Sequence, residues 1–544
     1  MPADLAIIEA WVRTLDPERP FTHAVAMKDG LIVALGDDVR AACDAKTHVI
    51  DARGAALVPG LVDSHLHPFW GAELARGVDL SACRTPADTL TALRAGKPQR
   101  GWLFGWGLDY DAAPTPAQLE DALPGVAVFV RMMDMHTALA TPTALRYAQV
   151  TGTETFSDNS AVVVDEDGVP TGELREGAAH DLVLRAAPRL RWPDLRARHV
   201  ENLRRLNALG LTGAHVMDGD LATHELLRDL EGTGELSLRL RVPHWIQPDM
   251  SDRHIELLLG TRDARGELWT GGVAKFFADG VIDAGTAWLE APDTHGEGIT
   301  PFWPDPERMA DVMKRFADAG FQLATHTIGD AAARFTLGAY LRAGAAPGVR
   351  HRLEHLEAIP DDLVQSIPRA GVVASMQPVH LAALRGDGSG NWNERLGPER
   401  AARAFRMRDL LDAGAVLTLG SDWPVADADP RLGLAAAQLR RVPSTPEALA
   451  VRPDQALTAE EALAGYTTVP ALVAGESLVA GRIREGMRAD LTGLAVDPVE
   501  LPAAQLPDNP VWLTVVGGRV VHQTDDNQAS TSSGVRSRTT LSPA

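Results

Sequence analysis

The sequence contains few of the features that mark secreted or membrane proteins. Only two cysteines, Cys43 and Cys83, occur in 544 residues. This excludes a disulfide framework and is typical of a reducing compartment. No apolar run reaches transmembrane length, and no basic leader precedes an apolar core near the first residue. We therefore expect a cytoplasmic protein without a signal peptide or a membrane span.

Basic residues are also in deficit. Lys and Arg total 52 against 73 Asp and Glu, which gives a formal net charge of −21. So acidic a chain argues against nucleic acid or an anionic membrane surface as the main partner. We expect a small-molecule substrate as the partner, and a homodimer is a reasonable expectation for a soluble oligomer.

The two ends of the chain share a β-rich texture. Asp29-Gly30 and Gly517-Gly518 each lie between apolar runs, which is a hairpin signal. We predict that residues 1–58 and 478–525 together form a small β-sandwich domain. The tail, 526–544, is rich in Ser and Thr and is predicted to be disordered.

The middle of the chain, residues 59–477, repeats a different pattern. Helical stretches end in Gly and give way at once to apolar, strand-like runs, at Gly210, Gly320, Gly371 and Gly414. Strand, helix and Gly stop in repetition indicate βα units and a parallel sheet. The fold class is therefore α/β, and a (β/α)8 TIM-like barrel plus a smaller domain suits the length.

The stretch "GLVDSHLHP" places His65 and His67 one residue apart at the end of an apolar run. Alternate side chains of a strand face the same side, so both imidazoles project together. His-x-His alone is weak evidence for a metal, because paired or solvated histidines are common. Other residues strengthen it, since Lys275 lies within an apolar strand and His326, His355 and Asp422 each end one.

The spacing of these residues fits a barrel. Lys275 and His326 are 51 residues apart, and His326 and His355 are 29 apart, or about one βα unit each. The 67 residues from His355 to Asp422 hold two units, with "VVASMQP" as a strand without a ligand. The residues then end strands 1, 4, 5, 6 and 8, and barrel active sites lie at these ends. "LTGAHVM" and "LRLRVPHWI" are predicted as strands 2 and 3, and residues about 70–195 as an insertion after strand 1.

Several longer motifs extend this pattern over most of the chain, namely "ALVPGLVDSHLHP", "VAKFFADGVIDAGTAWL", "QLATHTIGDAAARF", "HRLEHLE" and "LLDAGAVLTLGSDWPV". On these motifs the chain resembles the amidohydrolase superfamily, and within it the YtcJ-like metal-dependent amidohydrolases (amidohydrolase family 3). The resemblance implies a hydrolase with one or two divalent metal ions, Zn²⁺ above all. Such an ion lowers the pKa of bound water and polarises a carbonyl.

The resemblance also implies a set of ligands. His65, His67 and Asp422 would hold the first metal, and His326 and His355 the second. Lys275 would be carbamylated by CO₂ and bridge the two, although pairing with an acid such as Asp279 is the alternative. Asp422 would also act as general base and acid, against the alternative of a helix N-cap.

Residues outside the ligand set are expected to contact the substrate. By the resemblance, His136 in the insertion would bind substrate or the developing oxyanion, although a lone His is often structural. Trp106 lies in "FGWGLDYD", which resembles a "GWD"-like element of the family but contains an inserted Leu. Glu176 is equally well a solvated residue on a helix face. Ala284-Gly285 replace a Ser-Arg pair found in many relatives, so Asp283 would favour a cationic or amine-bearing substrate.

These observations predict hydrolysis of a non-peptide C–N bond, such as that of an N-acyl or N-formyl compound. A deaminase or an ester or lactone hydrolase is the alternative on the same site, because fold alone does not choose the reaction. A barrel without catalytic activity that serves as a binding protein is an alternative of another class. The complete set of candidate ligands argues against it.

Overall fold

A computed structural model describes residues 2–443 and 445–524, and its centre is an eight-stranded parallel sheet. Neighbouring strands of this sheet follow one another in chain order, as in a barrel. Barrel strands 1 to 8 are Leu61–Leu66, Leu211–Val216, Arg239–Trp245, Trp269–Phe277, Gln322–Thr327, Arg352–His355, Val373–Met376 and Leu417–Leu419. The predicted parallel barrel is confirmed, including the strands predicted as 2 and 3.

The barrel strands are buried, and a glycine turn precedes four of them. Gly210, Gly320, Gly371 and Gly414 all have positive φ, between +67° and +90°, and each precedes a barrel strand, as the sequence predicted. Strands 1 and 8 approach one another through a hydrogen bond of 2.6 Å between the hydroxyls of Ser64 and Thr418. The carboxyl ends of all eight strands therefore meet at one mouth.

Helices surround the barrel and cap the connections between strands. The longer ones alternate with the barrel strands, and two of them, Pro306–Asp318 and Pro430–Leu439, begin at an Asp N-cap followed by Pro, which fixes their first turn. The α-helices are Val39–Ala42, Trp70–Leu74, Pro86–Ala95, Pro116–Ala122, Pro142–Ala148, Gly177–Leu184, Trp192–Ala208, Leu221–Gly232, Asp252–Leu259, Pro306–Asp318, Asp330–Ala343, Asp361–Arg369, Asn391–Ala401, Met407–Asp412, Pro430–Leu439, Ala459–Gly465 and Thr468–Val473.

Two sheets outside the barrel are built from the ends of the chain. One has four strands in the order Leu31–Leu35, Val25–Lys28, Leu5–Ile8 and His48–Asp51. The other has six strands in the order Arg519–Gln523, Val511–Val516, Leu491–Leu494, Ala56–Pro59, Trp11–Arg13 and Phe21–Thr22. Apolar residues from both ends, such as Ile7 and Leu513, share one hydrophobic cluster. Both predicted hairpin turns have positive φ at their two central residues.

Between barrel strands 1 and 2 the chain forms a further six-stranded sheet. Its strands lie in the order Ala161–Val164, Pro170–Arg175, Thr137–Ala140, Ala127–Met132, Trp102–Leu108 and Val78–Asp79. Strand Ala127–Met132 is buried along its whole length. The turn after it, residues 133–136, leads toward the barrel mouth, as the contacts of His136 with His326 show.

The remaining expectations concern membrane spans, domain boundaries and the C-terminal tail. Among the described residues, no helix is both long enough and apolar enough to cross a bilayer. The predicted domain boundaries at residues 58, 477 and 525 stay a prediction. The tail predicted to be disordered, 526–544, lies outside the described residues.

Candidate metal centre

His65 and His67 face the interior of the barrel mouth, and both are buried. Their rings are 5.5 Å apart, centroid to centroid. Nδ1 of His65 donates to Glu354 at 2.7 Å, which leaves Nε2 without a hydrogen-bond partner. Nε2 of His67 lies 3.0 Å from the carboxylate of Asp422, and that of His65 lies 3.2 Å from the same oxygen. The His-x-His pair of strand 1 therefore meets Asp422, which follows strand 8, where the first and last strands of the barrel approach each other.

Asp422 is held in place by strand 1 rather than by its own strand alone. Its backbone N–H donates to the carbonyl of His65 at 2.7 Å. The carboxylate of Asp63 accepts from the backbone and hydroxyl of Ser421 and from the N–H of His65. A Cβ at Gly420 would lie 2.5 Å from the nitrogen of His65, so only glycine allows this approach. These contacts fix Asp422 opposite the histidines.

His326 and His355 each commit one ring nitrogen to the protein. Nε2 of His326 donates to the carbonyl of Gly280 at 3.0 Å, and Nδ1 of His355 donates to the side-chain oxygen of Gln377 at 2.9 Å. Their rings are 4.4 Å apart, and His355 is 4.7 Å from His65. Burial, with neighbouring histidines, holds the pKa of both well below its usual range, so both rings are neutral. Neutral imidazole is the form that ligates a metal.

Lys275 is among the most deeply buried residues of the barrel. Its Nζ has no hydrogen-bond partner, and its side chain passes over the ring of Phe277. Asp279, the alternative partner, instead accepts from the backbone N–H groups of Ile328 and Gly329. Burial lowers the pKa of Lys275 to about 8, against the pull of the Glu354 and Asp422 carboxylates. The lysine is therefore not neutralised by the acid predicted as its alternative partner.

Two groups of side chains have ligand atoms within 4.8 Å of one another, and they share Asp422. One is His65, His67 and Asp422, and the other is His355, His380 and Asp422. His380 follows barrel strand 7, from which we expected no ligand. Its ring stacks on His355 and its Nε2 lies 3.5 Å from Asp422. His326 and Lys275 belong to neither group.

The donor set fits a divalent transition metal. Buried nitrogens without a hydrogen-bond partner occur at His65, His67, Lys275 and His380, and those of His65 and His380 lie 3.2 Å and 3.5 Å from the carboxylate of Asp422. Imidazole with carboxylate is a ligand set that suits zinc and similar ions. Asp422 and His355 also have positive φ, 60° and 75°. Non-glycine residues in this region are uncommon and cluster at functional sites.

His136 reaches the centre from the insertion. Its ring lies 5.3 Å from that of His326, and its Nδ1 donates to Glu176 at 2.7 Å. Burial opposes protonation, but the Glu176 carboxylate raises the pKa of His136 to about 9. Glu176 itself is buried, so its interpretation as a solvated residue on a helix face is wrong. A Cβ on Gly280 would lie 2.1 Å from Glu176, which shows how closely the insertion approaches the barrel.

A cavity of about 230 Å³ adjoins these residues and opens from the barrel mouth. His136, His326, His355 and Asp422 line it, together with Asp283. Trp106 lines a neighbouring cavity instead, which shares several wall residues with the first. The structure thus brings Asp283 to the predicted centre, but it places Trp106 one cavity away.

Comparisons with known proteins agree with this arrangement. The model of a family described as an amidohydrolase family matches residues 48–522. A putative amidohydrolase, YtcJ of Bacillus subtilis, is 27% identical over 94% of this chain and 98% of its own length. An N-substituted formamide deformylase of Arthrobacter pascens is 28% identical over 95% and 97%. In fold, the chain resembles a metal-dependent hydrolase from Pyrococcus horikoshii, with TM-score 0.70, 24% identity and coverage of 92% and 99%.

We predict that Glu354→Gln weakens metal binding by about 10- to 100-fold, because the carboxylate that orients His65 and supports its basicity is lost. Metal affinity is measured by competition with a chromophoric chelator, on protein whose fold is verified by circular dichroism. Glu225→Gln makes the same change on an exposed helix face and should leave the affinity unchanged. An affinity of Glu354→Gln equal to that of the wild type would rule out this orienting role.

Proposed function

Because this chain belongs to the amidohydrolase family, with 475 of its residues in the matched range 48–522, we propose that it is a metal-dependent hydrolase of an amide-like, non-peptide C–N bond in a small molecule. One observation carries the proposal. Histidines from three separate barrel strands and the carboxylate of Asp422 converge at the barrel mouth beside a cavity. The likeness to an N-substituted formamide deformylase supports an N-formyl or N-acyl substrate.

The chain's residues divide into those that would hold metal and those that would act on substrate. We propose that His65, His67 and Asp422 hold one divalent ion, most simply Zn²⁺, and that His326 and His355 hold a second. Bound there, the metal would supply Lewis acidity toward the substrate carbonyl and a lowered pKa for water. His380 is placed to join the second group.

Asp422 is the proton carrier of the proposed reaction. Its carboxylate takes a proton from the attacking water as the new C–O bond forms, and it later gives the proton to the leaving nitrogen as the C–N bond breaks. The close contacts of Asp422 with His65, His67 and His380 support this role. Its backbone is fixed by His65, so the carboxylate is held ready for both transfers.

His136 is proposed to stabilise the charge that develops on the carbonyl oxygen. Glu176 keeps the imidazole protonated, since the pKa of His136 is raised to about 9. A cation beside the developing oxyanion lowers the barrier most when the site is dry and the donor is held in position. The bond to Glu176 holds the imidazole in position, and Glu176 itself is buried away from solvent.

Lys275 is proposed to carry a carbamate. The free amine would add to CO₂, with formation of a C–N bond and release of one proton, and the product would present a carboxylate instead of an ammonium. Its buried Nζ has no hydrogen bond among the described residues, so no contact of the amine is broken by this change. The family resemblance favours the same modification, which would link the two metal sites.

We expect the metal-loaded chain to hydrolyse at least one member of a panel of formamides and N-acyl amines, in preference to lactones and aminated heterocycles. Asp422→Asn should lower kcat by about 10²–10⁴-fold, because no group remains to carry the proton. Product amine is measured directly. Asp412→Asn, on the exposed end of helix Met407–Asp412, is the matched control. Near-normal turnover by Asp422→Asn, or preferred cleavage of lactones or heterocycles, would contradict the proposal.

Lys275→Ala should lose bound metal, because the carboxylate that links the two sites can no longer form. A short carboxylic acid such as acetate or propionate should restore part of the metal content and activity, since it can occupy the space left by the side chain. Metal content is measured by plasma mass spectrometry. Lys314→Ala removes an exposed lysine and serves as the control. Full metal and activity in Lys275→Ala would show that no carbamate is needed.

A further inference from the structure

The cavity beside the candidate metal centre has an unusual distribution of charge. We propose that it binds a substrate bearing a protonated amine on a short apolar chain, and that Asp134, Asp283 and Glu357 recognise the cation. This inference rests on the proposed function for the reaction but concerns a separate part of the same cavity. The three carboxylates line the cavity together with His355 and Asp422.

The three carboxylates come from three distant parts of the chain. Asp134 lies in the insertion, in the turn after strand Ala127–Met132. Asp283 lies in the loop after barrel strand 4, and Glu357 lies just after barrel strand 6. Burial raises the pKa of Asp283 most, and Asp134 and Glu357 each raise it further, so the three carboxylates are close enough to interact. The fold, and not their neighbourhood in the sequence, brings these three carboxylates together.

Each carboxylate is bound only by neutral donors. Asp134 accepts from the hydroxyl of Tyr110 at 2.6 Å, and Asp283 accepts from the side-chain amide of Asn391 at 3.0 Å. Glu357 accepts from the indole of Trp392 at 2.7 Å. Neutral donors fix the position of a carboxylate without pairing its charge, and burial with the two neighbouring acids raises the pKa of Asp283 to about 7, so a bound cation would favour its ionised form. Buried charges are ordinarily paired, so a cationic partner is expected.

The protein supplies no such partner in the part of the cavity that the structure describes. None of the described lining residues is a lysine or an arginine. The nearby guanidinium of Arg395 is bound by Asp293 and Glu297. The imidazole of His136 also lines the cavity and interacts with Asp134, but its Nδ1 is bound to Glu176. Arg395 and His136 thus act on Asp283 and Asp134 without forming a close ion pair with either among the described residues, which leaves a place for the cation of a ligand.

One carboxylate oxygen of Glu357 points separately to a ligand. Glu357 is only 8% exposed, and among the described residues its second carboxylate oxygen has no hydrogen bond and lies 3.8 Å from Nδ1 of His380. Both residues line the cavity. An ammonium group has three donors and satisfies free carboxylate oxygens of this kind.

The apolar residues that line the rest of the cavity favour an alkyl chain in the ligand. Leu381, Leu384, Leu432, Val442 and Trp392 line the cavity, and its volume of about 230 Å³ is small for a ligand pocket. A short alkyl chain fits such walls, with its ammonium end at the carboxylates and its amide at Asp422. The ligand class is thus a mono-N-acylated or N-formylated alkyl diamine, or an amide of similar shape and charge.

Two matched substrates test the selectivity. Mono-N-formyl cadaverine and N-formylhexylamine differ only in a terminal ammonium against a methyl group. The metal-loaded full chain should prefer the cationic amide by at least about tenfold in kcat/KM, and Asp283→Asn should reduce this ratio by about tenfold or more. In Asp283→Asn the side-chain oxygen still accepts from Asn391, so the loop is kept. Asp311→Asn, exposed on helix Pro306–Asp318, should leave the ratio unchanged.

Calorimetric binding of pentylammonium, with pentanol and pentanoate as matched probes, tests the cation site without any turnover. Pentylammonium should bind wild type most tightly and lose about tenfold or more in affinity in Asp283→Asn. Asp134→Asn removes a second charge and carries the same test if Asp283→Asn does not fold. Equal binding of pentylammonium and pentanol, preference for pentanoate, or a change in metal content with no change in amine affinity would overturn the inference.

The two assays separate the inference from the proposed function. Binding of pentylammonium that depends on Asp283, without hydrolysis of any amide, supports the cation site and contradicts the hydrolase proposal. Hydrolysis of both formamides with a ratio that Asp283→Asn does not alter supports the hydrolase and overturns the cation site.

Discussion

The buried ion pair between Arg352 and Glu354 holds the barrel mouth together. Both side chains are essentially inaccessible to solvent. The guanidinium donates to the carbonyl of Ser64, to the hydroxyl of Ser375 and to Nδ1 of His215, so it joins barrel strands 1, 2, 6 and 7. Glu354 in turn accepts from His65. Removing one partner of such a pair leaves an uncompensated buried charge, at a cost of about 3–5 kcal/mol.

Hydrogen bonds to this network and to two other groups of the protein position the histidines of the site. His65, His326 and His355 each use one nitrogen to bind the protein, through Glu354, Gly280 and Gln377. Nε2 of His65 is left for the centre and lies 3.2 Å from Asp422, and Nδ1 of His355 lies 3.8 Å from the same carboxylate. Such outer contacts set ring orientation and basicity at metal sites. The insertion completes the arrangement with His136, Glu176 and Asp134, so the site is not built by the barrel alone.

The sequence predicted the parts of the site that follow from local pattern. His65, His67, His355 and Asp422 stand at strand ends, and the ends of parallel strands must meet at one face. The sequence did not assign Glu176 to the site, because its contact with His136 depends on how the insertion folds. Glu176 meets a histidine 40 residues away. His380 could have been found from "MQPVH", since this His follows a strand whose neighbours all carry ligands. Trp106 lines the neighbouring cavity because of the way the insertion folds, which its sequence pattern alone does not predict.

The central claim is that these residues form a metal centre, and metal content tests it most directly. The full chain, purified without chelator and passed through gel filtration, is analysed for transition metals by plasma mass spectrometry. The account predicts about one to two equivalents per chain, removed by chelator and restored by Zn²⁺ or Mn²⁺. Fewer than about 0.2 equivalents, with no uptake of added metal at micromolar concentration, would contradict it.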